Sequence, residues 1–230
     1  MNKGRRINLI VAIIFTIICV IGVIIYDISN PNLGANIMMR NILIGLAVLF
    51  CLFFIFGWLY GLTLRKKNKK YVTLLKESKY DESLIIVLKL VELAPTTFYE
   101  QQMDLQAALL YLIKNDELNF IKYIEKVNHI KLKAVRYYWT ALVNFINDNI
   151  GLAKAQYQLF LESPKELYKV YKPYEFYKQC LSGLLDYYER NNETAKEKLE
   201  KIYPEIRNPV AVSYYGKVLK ALGSSVPPAE

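Results

Sequence analysis

Two uncharged apolar stretches, Ile7–Tyr26 and Ile42–Leu64, lie near the beginning of the chain. Each matches or exceeds the ~20 apolar residues that an α-helix needs to cross a bilayer. From Lys70 to Leu222 apolar residues instead recur at helical intervals, without the period-two alternation of strands. This pattern predicts an all-α protein, with two transmembrane helices followed by an amphipathic helical domain.

The two apolar stretches are joined by residues 27–41, which contain Asn30-Pro31 and Gly34 as turn residues. A connection this short predicts an antiparallel transmembrane hairpin. A secretory signal peptide is the alternative for residues 7–26. The stretch is longer than the usual apolar region of about 7–15 residues, and no small-x-small cleavage motif follows it. We therefore expect transmembrane helices over about 7–26 and 42–64.

Positive charge is concentrated around this predicted anchor. Nine of the 30 Lys and Arg residues lie in residues 1–70 with only one acidic residue, Asp27, so this region carries most of the net charge of +9. Three cations precede the first stretch and five follow the second in the basic flank 65–70, read RKKNKK. The positive-inside rule then predicts a multi-pass protein of the cell membrane with both termini in the cytoplasm.

The distribution of charged and reactive residues argues against several functions. The near-neutral remainder of the chain gives no basic face for nucleic acid. Neither apolar stretch carries an ionisable residue of the kind that transport pathways use. We find no catalytic motif, no metal-ligand spacing and no disulfide framework among Cys19, Cys51 and Cys180, and His129 is the only histidine. The sequence therefore predicts neither an enzyme nor a cofactor.

Small residues recur in the amphipathic region, around polar breaks at 114–116, 147–149 and 190–192. Ala141 and Ala153 lie twelve residues apart across one break, and Gly183 and Ala195 across the next. Ala108 occupies the first small position of an earlier unit, in which Phe120 replaces the second, and Ser83 opens the second helix of the unit before it. We expect the small residues Ser83, Ala108, Ala141, Ala153, Gly183 and Ala195 to lie at helix–helix contacts.

This pattern resembles the tetratricopeptide repeat, a family of paired antiparallel helices with a repeat of about 34 residues. The interval from Ala108 to Ala141 is typical of this repeat, whereas the next, from Ala141 to Gly183, is longer and predicts an extended helix or inserted turn at 165–178. The resemblance implies a tetratricopeptide-like α-solenoid over 71–222, followed by a flexible tail at 223–230. Helix starts are predicted from capping boxes at Thr97–Glu100 and Ser163–Glu166, and from Asn208-Pro209.

The resemblance implies a protein–protein interaction module, such as a scaffold, an adaptor or a regulatory subunit. Its partners would be the lipid bilayer and a protein or peptide, with a homo-oligomer left open. The alternative is an accessory subunit of a transport or secretion complex, bound through the transmembrane hairpin. Frequent Lys, Ile, Asn and Tyr suggest a bacterial source.

Two local patterns are candidate contact sites. Four tyrosines recur every three residues with lysines between them, giving the candidate partner-binding residues Tyr168, Lys169, Tyr171, Lys172, Tyr174 and Tyr177. Tyrosine is enriched at recognition surfaces, although packing of the rings inside the domain is the favoured alternative. Gly57 and Gly61 form a G-x-x-x-G spacing that allows close packing of membrane helices.

Overall fold

A computed structural model of the protein describes residues 35–163 and 173–225. Within these ranges the chain is helical, and no strand is found. The helices are α1 (Ala35–Lys76), α2 (Tyr80–Glu92), α3 (Thr97–Ile113), α4 (Glu117–Ile124), α5 (Lys133–Ile146), α6 (Ile150–Glu162), α7 (Pro173–Tyr188), α8 (Asn192–Ile202), a 3-10 turn (Tyr203–Glu205) and α9 (Pro209–Ala221).

Helix α1 extends beyond the predicted transmembrane segment at both ends. It begins at Ala35, inside the predicted connection, and continues through the basic flank to Lys76 as one helix of 42 residues. No Gly or Pro interrupts residues 35–41, and Arg and Lys are good helix formers, so neither segment stops the helix. The predicted first transmembrane helix, 7–26, lies outside the described residues.

Judged over the residues that the structure describes, no helix combines the length and the hydropathy of a membrane span.

The helices form two compact units, divided between Met103 and Asp104 inside α3. In the N-terminal unit α1 packs on α2 through the buried Tyr71 and Leu74. Ser83 and Val87 of α2 are fully buried in the same unit. The Tyr60 hydroxyl also donates a hydrogen bond to the backbone oxygen of Leu93, just after the end of α2. The last turns of α1 and the whole of α2 therefore form the first helical pair.

In the C-terminal unit, adjacent helices pack in pairs, α5 on α6 and α7 on α8. Tyr111 of α3 stacks on Tyr123 of α4 with 5.3 Å between ring centroids. Tyr188 of α7 and Tyr214 of α9 both hydrogen-bond to the end of α5. Their hydroxyl oxygens lie 3.1 and 2.9 Å from the Phe145 backbone oxygen and 2.7 Å from each other. The aromatic side chains thus connect successive pairs.

The turns inside the pairs share one backbone conformation. Ser78, Asn115, Asp148 and Arg190 have positive φ, as does Gly223 after α9. In every case the following residue donates its N–H to the carbonyl five positions back, at 2.8–3.0 Å. This is the Schellman arrangement that ends a helix in a left-handed residue. The polar breaks predicted from the sequence coincide with three of these turns.

Counting from the left-handed residue gives the register of the helical pairs. The small residues Ala108, Ala141 and Gly183 lie seven positions before it, and Ser83, Ala153 and Ala195 lie five positions after it.

Helix α9 continues this series as a first helix. The number of residues from Arg190 to Gly223 equals the number from Asn115 to Asp148. Gly223, just after α9, therefore occupies the position at which the repeat predicts the next left-handed turn residue. Gly216 occupies the small position of α9, seven residues before Gly223, which sequence reasoning missed. The available signal was its distance from Gly183, which equals the distance of Ala141 from Ala108.

The helix caps differ in part from those predicted. Helix α3 is capped by Thr96, whose Oγ1 accepts from the Tyr99 N–H at 3.1 Å, and not by Thr97, which is already helical. Ser163 ends α6 and donates to the Leu159 carbonyl at 2.9 Å. Its predicted partners at 164–166 lie outside the described residues. Asn208 caps α9 as predicted, since its side chain accepts from the Val210 and Ala211 N–H groups.

Candidate functional site

An open cavity of about 430 Å³ lies on the C-terminal unit, among the first helices of successive pairs. Its volume is within the range of small-ligand and side-chain pockets. The lining comes from α3, α5, α7, α9 and the segment before α9: Leu109, Tyr138, Trp139, Phe176, Tyr177, Glu205, Ile206, Arg207, Asn208 and Ala211. We call this cavity the aromatic groove.

The aromatic wall of the groove is held by ring packing. Tyr177 stacks on Tyr138 with 4.2 Å between centroids, and Trp139 meets Tyr138 edge to face at 5.1 Å. Tyr138 and Trp139 are buried, whereas Tyr177 and its neighbour Phe176 are half-buried. Tyr138 and Trp139 are therefore fixed by packing, whereas Phe176 and Tyr177 expose ring surface that a ligand can cover.

The polar rim of the groove comes from the segment between the 3-10 turn and α9. Glu205 and Arg207 are exposed, and an Arg207 guanidinium N–H donates to the Pro204 carbonyl at 2.7 Å. The Asn208 side chain is occupied by its cap bonds to the Val210 and Ala211 N–H groups at 3.0 and 3.3 Å. The rim thus offers one carboxylate and one guanidinium beside an apolar wall.

Three polar side chains are buried in the core at the groove, and one of them, Tyr138, also belongs to the groove lining. Tyr138, Cys180 and Tyr215 are all at most 2% exposed. Burial raises the pKa of the Cys180 thiol to about 12 and the pKa values of both tyrosines well above 10. A thiol that stays protonated at neutral pH is a poor nucleophile. Cys180 therefore contributes to the packing of the core.

The Tyr/Lys candidates are only partly covered by the described residues. Tyr174 is buried, and its ring stacks on Phe160 with 4.7 Å between centroids, while Tyr177 is half-buried in the groove wall. Tyr174 is therefore a packing residue, as the alternative interpretation predicted, and Tyr177 is the candidate that lines the groove. Tyr168, Lys169, Tyr171 and Lys172 lie outside the described residues. Sequence reasoning missed Trp139 and Phe176 of the groove lining. Phe176 is adjacent to Tyr177 in the sequence, whereas Trp139 joins the lining only through the packing of helices.

The remaining candidate positions lie at helix contacts or on the surface. Ser83, Ala108, Ala141, Ala153 and Ala195 are completely buried. A Cβ on Gly183 would lie 2.6 Å from Leu199 Cδ2, so the helices touch at this glycine. At Gly57 and Gly61 no atom of the described residues, apart from the backbone of α1 itself, lies within 4 Å of such a Cβ.

No set of three His, Cys, Asp or Glu side chains in the described part of the chain could hold a metal ion. The chain matches no protein-family model, no curated protein and no solved structure.

Proposed function

We propose that this protein is a membrane-anchored interaction module, in which a tetratricopeptide-like array presents the aromatic groove to a segment of a partner protein at the cytoplasmic surface. The observation that carries the proposal is the groove itself. Three successive first helices and α9 contribute to it, and the half-buried Phe176 and Tyr177 remain available for contact. Helical arrays commonly bind extended ligands on a surface built by successive repeats.

The tetratricopeptide-like assignment is supported by the repeated turns and small positions. Each pair has a left-handed turn, and its small or buried contact residues lie at fixed distances from that turn. The intervals between successive turns from Ser78 to Arg190 bracket the length of about 34 residues expected for this family. The longest interval, from Asp148 to Arg190, contains the segment 164–172.

The membrane anchor is supported by the surface of α1. Within the predicted transmembrane segment, residues 42–64, the exposed large apolar residues are Ile44, Leu46, Val48, Phe53, Ile55, Phe56, Trp58, Leu59 and Leu62. At 3.6 residues per turn these positions surround the helix instead of forming one stripe. A helix that is apolar on all sides requires an apolar environment on all sides. The cations of 65–70 follow immediately and suit the cytoplasmic interface.

Site-specific photocrosslinking in native membranes tests the proposed groove. A photoreactive amino acid at Arg207, on the rim, should give a discrete protein adduct, while one at the exposed Lys201 of α8 should not. Phe176→Ala should reduce the adduct, whereas Tyr187→Ala, a half-buried aromatic on the same helix outside the groove lining, should leave it. Equal adducts from both positions, or equal loss in both variants, would exclude the groove as the binding site.

The alternative, an accessory subunit bound through the hairpin, is favoured by the apolar surface of α1. It predicts that partner capture survives Phe176→Ala and is lost when the α1 surface is changed at Phe53 and Trp58. Topology is tested separately by reporter fusions in the predicted loop before Ala35 and at the C-terminus, which should report opposite sides of the membrane. An external C-terminus would contradict the cytoplasmic assignment.

A further inference from the structure

Four exposed cations share one side of α1, just after its apolar stretch. They are Arg65, Lys66, Lys69 and Lys70. At 3.6 residues per turn these positions fall within an arc of about 140° around the helix. We call these four residues the basic stripe. The buried Tyr71 and Leu74, through which α1 packs on α2, lie on the other side, and the middle of their arc is about 140° away. Helix α2 therefore leaves the basic stripe uncovered.

The described part of the fold does not neutralise the basic stripe. Residues four apart on a helix are neighbours, so Arg65 lies beside Lys69 and Lys66 beside Lys70, and such like-charge pairs destabilise a helix. Helix α1 has no acidic residue among its 42 residues, and the acidic residues of α2 are confined to its first turn and its last residue. Among the described residues, no carboxylate forms an ion pair with the stripe. Its positive charge is therefore open to an external anion.

The same side of α1 is apolar and exposed before the basic stripe begins. Trp58, Leu59 and Leu62 are 66%, 47% and 41% exposed, and they fall within the arc that the stripe occupies. Along the helix axis Leu62 lies about 4.5 Å from Arg65, and Trp58 about 10 Å. One side of a single helix thus changes from apolar to cationic within about one turn. A soluble anion would contact only the cations, whereas a negatively charged phospholipid would contact both parts.

We propose that the basic stripe binds the headgroup phosphates of anionic phospholipids, while Trp58, Leu59 and Leu62 contact the acyl chains of the same lipids. This inference rests on the proposed membrane anchor, which sets the stripe at the headgroup level. Clusters of Lys and Arg directly after a membrane helix attract anionic lipids. The guanidinium of Arg65 can also donate two parallel hydrogen bonds to one phosphate.

The packing of α2 on α1 predicts which cation of the flank lies outside this site. The Tyr60 hydroxyl donates to the Leu93 backbone oxygen, and Tyr71 and Leu74 are buried, so α2 runs beside the basic flank. Lys67 falls within about 40° of Tyr71 and Leu74 around the helix and is half-buried. It therefore lies on the side that α2 occupies, and we expect it to contribute less to lipid binding than its neighbour Lys66.

Quenching of Trp58 by brominated lipids tests this inference in the full-length chain. The protein is reconstituted into vesicles of phosphatidylcholine and phosphatidylglycerol, in which either lipid carries bromine on its acyl chains at the same mole fraction. The ratio of the two quenching efficiencies gives the selectivity for the anionic lipid at Trp58. Trp58→Phe measures the contribution of Trp139, the other tryptophan of the chain. Flotation after alkaline carbonate extraction reports whether the chain is anchored.

Brominated phosphatidylglycerol should quench Trp58 more than brominated phosphatidylcholine does. This selectivity should fall at high salt but persist when inorganic phosphate is added at constant ionic strength. Lys66→Gln or Lys69→Gln should lower it toward unity by roughly fivefold, whereas the matched control Lys67→Gln should retain most of it.

Three results in an anchored chain would overturn this inference alone. They are equal quenching by the two lipids, equal loss of selectivity in Lys66→Gln and Lys67→Gln, and loss of selectivity on addition of phosphate, which would assign the stripe to a soluble anion. A chain that carbonate removes from the vesicles overturns the proposed anchor as well.

Discussion

Gly183 offers a direct test of the register of the helical pairs. It lies seven residues before the left-handed turn residue Arg190, at the contact of α7 with α8. A Cβ at this position would lie 2.6 Å from Leu199 Cδ2 and 3.0 Å from Leu199 Cγ. Leu199 is completely buried, so its side chain has little room to withdraw. We expect Gly183→Ala to overpack this contact.

Two opposing contributions determine the magnitude. Alanine stabilises a helix interior by about 1 kcal/mol relative to glycine. Overpacking a well-filled contact costs about 1–3 kcal/mol. The net effect of Gly183→Ala on the free energy of unfolding is therefore a loss of about 0–2 kcal/mol. Gly183→Leu adds more atoms at the same contact and should destabilise the domain beyond this range.

Gly151 is the matched control. It is exposed in the first turn of α6, and no described atom lies within 4 Å of a Cβ built there. Gly151→Ala should raise the free energy of unfolding by up to about 1 kcal/mol. Thermal unfolding of the full-length chain in mild detergent, followed by circular dichroism, compares the variants. If Gly183→Ala stabilises the protein as much as Gly151→Ala does, the contact and the register are wrong.

Three further predictions concern the core and the caps. Burial raises the pKa of the Cys180 thiol from 9.0 to about 12. As the pH rises, the unfolded chain therefore loses the thiol proton at a lower pH than the folded protein does. The contribution of the thiol to the free energy of unfolding is fully present below pH 9 and decreases between pH 9 and 12. Cys180→Ala should therefore reduce the fall in melting temperature over this pH range. Asn208→Ala should cost about 1 kcal/mol in denaturant unfolding, whereas Asn191→Ala should have a smaller effect because its side chain makes no cap bond within the described structure. Tyr174→Ala should cost about 3–5 kcal/mol of unfolding free energy, and a small loss with reduced partner capture would instead make Tyr174 a recognition residue.

The all-helical class and the pairing of helices could be read from the sequence because both depend on local chemistry. Apolar residues at helical spacing mark the buried stripe of each helix. Polar breaks such as those at Asn115 and Asp148 supply Asn and Asp, which tolerate positive φ. A helix ends at such a residue, and the next helix begins within a few residues. Small residues such as Ala141 and Gly183 follow from the same reasoning, since two helices approach closely only where side chains are short.

The helix limits and the groove required the tertiary structure. Nothing local distinguishes a basic flank that ends a helix from one that continues it, so the predicted transmembrane segment 42–64 did not give the limits of α1, which runs from Ala35 to Lys76. Tyr174 and Tyr177 lie three residues apart in one repeating pattern, yet Tyr174 packs on Phe160 of α6 and Tyr177 on Tyr138 of α5. A periodic sequence fixes which side chains share a helix face. The neighbours that cover this face come from other helices, and their positions decide which aromatic ring is buried in the core and which lines the groove.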